Sequence, residues 1–166
     1  MSTNKKIAVI ALTVFFLFFF HSNGLSQRVG VKSLTGIEEI GVVVEQLDKG
    51  LENLGLSPDE IKTDVELKLQ RAGIKVSQDA MSYLYVYVSA YWHSKSPEIV
   101  AINISLDFRQ FVLLPRSKDT VYATTWTTGA IGISGTQKVS GFRKYIEDEV
   151  DIFINDYLLV NPAKKK

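Results

Sequence analysis

The chain has 166 residues, with 19 Lys and Arg against 18 Asp and Glu, 46% hydrophobic residues and no cysteine. That length points to one domain with a substantial core, and 22% charged with 11% aromatic residues exclude a disordered tail or a collagen-like repeat. The lack of cysteine excludes disulfides, Cys-ligated zinc, iron–sulfur ligation, thiol catalysis and a lipidated N-terminal cysteine.

Lys5 and Lys6 precede an apolar or Thr-containing run from Ile7 to Phe20, followed by His21-Ser22-Asn23-Gly24. The run is shorter than the roughly 20 residues needed to cross a bilayer core. A basic start, a short apolar stretch and small residues at Ser22 and Gly24 match an export signal, so residues 1–24 are expected to be one. A second cut site lies after Ser26, and the alternative to cleavage is retention as a membrane anchor. Residues 5–20 then supply a transient membrane-targeting contact. Cleavage after Gly24 removes two of the 19 basic residues and no acid, leaving 17 against 18. That near-neutral charge gives no reason to expect nucleic acid or anionic lipid as a partner. The final Lys164-Lys165-Lys166 reads as a solvated end of a basic tail over 161–166.

Residues 25–37 mix Ser, Gly, Lys and Arg without periodicity and read as a flexible lead-in ending in a short turn. The β-branched string from Ile40 to Leu47 predicts a first strand, and Gly50, Asn53 and Gly55 punctuate the connection after it. Ser57 can cap a helix, Pro58 suits its first turn, Glu60 holds the capping-box position, and Leu56 with Ile61 can form a staple. With Ile61, Val65, Leu69 and Ala72 at helical spacing and Gly73 as terminator, a helix is predicted over 58–72. Ile74-Lys75-Val76 is a short strand or a docked extension.

Between Tyr83 and Trp92, Leu84, Val86, Val88 and Ala90 share one strand face, while Tyr83, Tyr85, Tyr87, Ser89 and Tyr91 share the other. After a hairpin loop over 93–98, Val100, Ile102, Ile104, Leu106 and Phe108 alternate with Ala101, Asn103, Ser105, Asp107 and Arg109. The two runs are predicted antiparallel neighbours. Thr120 to Thr128 is a third member of the meander, and Gly129, Gly132 and Gly135 mark an irregular strand end or a tight loop. Val139, Phe142, Ile146, Val150, Phe153, Ile154 and Tyr157 predict a last helix over 138–158, with Arg143–Glu147 and Lys144–Asp148 as spaced ion pairs.

The fold class expected is α+β. It is a two-layer sandwich in which a mainly antiparallel sheet of about four strands packs on two helices, in the order β-α-β-β-β-α with room for one short extra strand. Residues 38–160 form its single domain. The segments Gly36 to Asp48, Ser57 to Ile74, Ala123-Thr124-Thr125-Trp126 and Phe153 to Pro162 resemble a recurring class of small exported bacterial proteins of unassigned function. The resemblance spans most of residues 34–162. It implies an envelope setting and one domain, and supplies no activity.

Candidate chemistry is sparse. Outside the export segment His93 is the only histidine, and neighbouring Ser94, Ser96 and Glu98 on a hairpin do not by themselves make a nucleophile and base. Glu38-Glu39, Asp107 and Glu147-Asp148-Glu149-Asp151 lack the spacing of a calcium loop, and the last group is expected on a solvated helix face. The three glycines fit turn or bulge geometry better than a phosphate loop. No cofactor or metal is expected.

The informative feature is the tyrosine stripe. Rings at Tyr83, Tyr85, Tyr87 and Tyr91, with Trp126, can bury aromatic area against a partner while their polar tips find hydrogen bonds. The leading expectation is therefore a non-enzymatic exported interaction or scaffolding domain, periplasmic or extracellular, whose partner is an envelope protein or a second copy. A carrier of a small apolar ligand, with a pocket near Phe108, Phe111, Trp126 and Phe142, is the alternative. An exported hydrolase using His93 or paired acids ranks third.

Overall fold

The computed structural model describes residues 30–162. The export segment, the first part of the lead-in and Lys164–Lys166 lie outside the described residues. A 3₁₀ turn over Val31–Leu34 leads into β1 (Glu39–Val44), α1 (Lys49–Asn53), α2 (Pro58–Arg71), β2 (Lys75–Val76), β3 (Tyr83–His93), β4 (Ser96–Leu113) and β5 (Thr120–Gly135). A second 3₁₀ turn over Thr136–Gly141 enters α3 (Phe142–Val160). The fold is α+β: one five-stranded open sheet in the order β2-β1-β3-β4-β5, layered with helices. β1 runs parallel to β2 and β3, and the β3–β4 and β4–β5 pairs are antiparallel. Among the described residues no helix is long and apolar enough to cross a membrane.

Local chemistry explains most of the element ends. Ser57 Oγ accepts the Glu60 backbone N–H at 3.4 Å, Pro58 fills the first turn, and Gly73 adopts φ 81° where the chain leaves α2. α1 was not anticipated. Asp48 caps it by accepting from the Leu51 N–H at 3.0 Å, and Leu51 anchors it in the core, although Gly50, Asn53 and Gly55 read as a connection.

The lead-in needs correction over its described part. Val31 and Leu34 are 1% and 0% exposed, and the end of α3 staples the following chain. Asn161 Oδ1 accepts from Gly36 N at 2.7 Å, its Nδ2 donates to the Leu34 carbonyl at 2.8 Å, and the Tyr157 hydroxyl donates to the Ile37 carbonyl at 2.7 Å. Among the described residues the packed unit therefore includes Gly30 to Ile37, ahead of residue 38.

The largest departures are in the strands. β4 continues past Arg109 to Leu113, and β5 continues through the glycine segment to Gly135. Phe108 pairs with Trp126 and Arg109 with Thr124, so Thr125 is the extra residue of a β-bulge that shifts the β5 alternation. The glycines permit close approach instead of making a loop: a Cβ on Gly129 would lie 2.5 Å from the Ile104 carbonyl oxygen, and one on Gly132 would lie 2.9 Å from the Phe142 ring.

The core lies between the helices and the even-numbered face of β3 and β4. Leu84, Val86, Val88, Val100, Ile102, Ile104, Leu106 and Phe108 are buried with Ile61, Val65 and Leu69 of α2 and Ile146, Val150 and Phe153 of α3. Arg143 does not hold the Glu147 partner expected from helical spacing. It crosses to α2, where Nε lies 2.9 Å from Asp64 and Nη1 2.7 Å from Glu60, while Lys144 does reach Asp148 at 2.6 Å. Glu149 also departs from the solvated face assigned to it. It turns toward the sheet, is 9% exposed, and accepts from Thr128 Oγ1 at 2.6 Å.

Candidate functional site

With the even-numbered residues under the helices, the odd-numbered side chains of β3 and β4 share the opposite face. The register sets out its rows: Tyr83–Arg109–Thr124, Tyr85–Asp107–Thr127, Tyr87–Ser105–Gly129, Ser89–Asn103–Ile131 and Tyr91–Ala101–Ile133. Tyr83, Tyr85, Tyr87 and Tyr91 are thus brought together along one strand. Trp126 is not among them. It is 1% exposed on the helix-facing side, packs edge-on to Phe153 at 5.0 Å, and donates its Nε1–H to Asp156 at 2.9 Å. The Thr125 bulge shifts the alternation of β5 and turns Trp126 to the helix side, so the expected place of Trp126 beside the tyrosines is corrected.

At the end of the face beside β1, the polar and aromatic groups are tied to one another. The Arg109 guanidinium lies 3.8 Å from the centroid of the Tyr85 ring, and its Nη2 is 3.2 Å from Asp107. Asp107 also accepts from Thr127 Oγ1 at 2.8 Å, and the Tyr85 hydroxyl donates to the Glu45 carboxylate. Tyr83 stacks on Tyr122 at 5.4 Å, and Phe111 meets Tyr122 edge-on at 4.7 Å. The Tyr122 hydroxyl donates to the Met81 carbonyl at 3.0 Å.

These contacts set the titration of the cluster. The hydrogen bond to Glu45, helped by burial, raises Tyr85 above the ordinary tyrosine value. Burial and then the neighbouring Tyr83 raise Tyr122. Burial alone would lower Arg109, but the hydrogen bonds with Asp107 and Tyr83 outweigh it and hold the guanidinium charged.

The other end of the face is apolar and open. Tyr91 is 68% exposed, and Ile131 and Ile133 are 77% and 76% exposed. Ile99 is exposed beside them, and Ser89 Oγ is buried with no hydrogen-bond partner. Alternation in the sequence places Asp107 and Arg109 on this face. It does not place Tyr122, Ile131 or Ile133 there, because the bulge and the glycines mask the length of β5.

The rival sites fare differently. Phe108 and Trp126 fill the sheet–helix layer against Phe153, Phe142 lies over Gly132, and Phe111 stands exposed on the opposite face. These four residues do not line one cavity, so the carrier reading loses its expected pocket. His93 is exposed at the end of β3 with Ser96 as its strand partner, and Glu39 pairs with Lys75 at 2.7 Å. Among the described residues no three His, Asp or Glu side chains gather where they could hold a metal ion.

No protein-family model matches the chain, and no curated protein matches it. Solved structures similar to it include a minor lipoprotein from Acinetobacter baumannii, at 12% identity and TM-score 0.43, covering 76% of this chain and 95% of that one. A candidate lipoprotein from Caulobacter crescentus CB15 is similar at 14% identity and TM-score 0.42, covering 82% and 98%. The rare lipoprotein B from Shewanella oneidensis is similar at 12% identity and TM-score 0.32, covering 73% and 91%. Likeness at this level carries no argument about activity.

Proposed function

We propose that this chain is an exported, non-enzymatic interaction domain that docks another envelope component on its outer sheet face. Export is read from Lys5, Lys6 and the Ile7–Phe20 run, and periplasmic or extracellular placement follows from it. The observation that carries the docking reading is the aromatic tract of Tyr83, Tyr85, Tyr87 and Tyr91 on the side of the sheet away from the helices, ending in exposed Tyr91, Ile131 and Ile133. Apolar side chains clustered on a sheet face are a recurrent mark of contact surfaces, and tyrosine adds hydrogen-bonding tips at small entropic cost.

Tyr83 and Tyr85 are held by Tyr122, Arg109 and Glu45, so they frame the surface as a rigid border. Tyr87 and Tyr91 are the contacts to a partner. The test is affinity purification from the native envelope of the unmodified chain and of a Tyr87→Ser, Tyr91→Ser double variant. Loss of a co-purifying component from the double variant, with its folding intact, is the expected result. Equal recovery from both overturns the reading.

A further inference from the structure

β5 is the outermost strand of the sheet, so one side of its backbone presents N–H and C=O groups that no strand of this chain pairs among the described residues. Proteins ordinarily blunt such an edge with charge, proline or a short strand. Here the strand runs for 16 residues, and residues 120–137 include no charged residue and no proline. Among the described residues the edge is covered at the bulge. Gly30 sits so close that a Cβ on it would lie 2.1 Å from the Thr125 carbonyl oxygen, and Ser33 Oγ donates to that oxygen at 3.2 Å.

Beyond Trp126 no strand among the described residues pairs with the edge. The inward positions of this stretch are Thr128, Ala130, Gly132 and Ser134; Phe142 at the start of α3 packs on Gly132, and beside them lies an open cleft of about 700 Å³ lined also by Lys138, Lys144, Tyr145 and Asp148. A free backbone row selects an extended segment as its occupant. The absence of charge selects which one. When a strand pairs antiparallel with its own copy, residues near the centre meet themselves, and any charge there would face its like. Residues 127–135 have none, and their midpoint is Ile131.

We infer that residues 127–135 of β5 pair antiparallel with the same segment of a second copy of this chain, about a twofold axis at Ile131, joining two sheets edge to edge. Ile131 then faces its counterpart, and Ile133 faces Gly129 of the other copy. The seam lies on the sheet edge and does not rest on the docking role of the outer face.

The cysteine-free sequence allows a direct test. Facing residues of an antiparallel pair have Cα atoms about 4.5–5.5 Å apart, within disulfide reach. Oxidised Ile131→Cys protein is expected to be mainly a covalent dimer. Thr127→Cys and Gly135→Cys proteins should link when mixed and not alone, and Met81→Cys, an exposed site elsewhere, should stay unlinked. In sedimentation the unmodified chain should be a dimer and Ile131→Lys a monomer. Equal linking at positions 131 and 81, or a monomeric unmodified chain at about 100 μM, overturns the proposal. The Tyr87→Ser, Tyr91→Ser variant should remain dimeric, so failure of the outer-face reading and failure of the seam are told apart.

Discussion

The two ends of the outer sheet face both carry tyrosines of β3 and behave as different surfaces. Near β1, Tyr83, Tyr85, Tyr122, Arg109 and Asp107 spend their polar atoms and ring faces on one another. Near the β3–β4 hairpin, Tyr91, Ile131 and Ile133 are open, and Ser89 carries a buried hydroxyl without a partner. A tyrosine stripe read from alternation alone is uniform. The cross-strand neighbours divide it, because Arg109 and Asp107 lie opposite Tyr83 and Tyr85, whereas Ala101 lies opposite Tyr91.

If that division holds, substitutions at the β1 end change stability and those at the hairpin end change association. The largest effect is expected from Tyr122→Ala, which removes two ring contacts and the hydrogen bond to Met81, at about 2 kcal/mol in urea unfolding. Arg109→Ala leaves Asp107 without its cation and Tyr85 without its guanidinium, and should cost about 1–2 kcal/mol in the same assay.

Tyr85→Phe should cost about 1 kcal/mol near neutral pH. Because the folded-state pKa of Tyr85 is raised, its contribution is present below the unfolded tyrosine value and is lost as pH rises through the folded value. The alkaline loss of stability should therefore be smaller in Tyr85→Phe, and ultraviolet titration should show one phenol ionising earlier in Glu45→Ala than in the unmodified chain. The smallest effect is expected from Tyr91→Ser and Ile133→Ser, within about 0.5 kcal/mol. A loss of 2 kcal/mol at either would show that the hairpin end is as structural as the other.

The parts of the fold written in local chemistry were legible. The Ser57-Pro58 start and Gly73 stop of α2 follow from capping, and the alternation from Tyr83 to Arg109 separates the buried face from the open one. What was not legible depends on distant neighbours. Thr125 bulges where Gly30, Ser33 and Gln110 from distant parts of the chain meet it, and that bulge carries Trp126 into the core. Gly129 and Gly132 resemble loop residues until Ile104 and Phe142 stand close enough to exclude a side chain. Parallel pairing of β1 with β3 joins segments separated by two helices, which no short-range pattern encodes. For the site, the tyrosines were found by periodicity, whereas Ile131 and Ile133 required the true length of β5.

The docking claim is tested most directly by placing a photoreactive side chain at position 91 in cells and comparing its adducts with those from position 118 in the β4–β5 turn. One discrete heterologous adduct is expected at 91, absent at 118 and lost when Tyr87→Ser is added. No adduct at 91, or the same products from both positions, would contradict it.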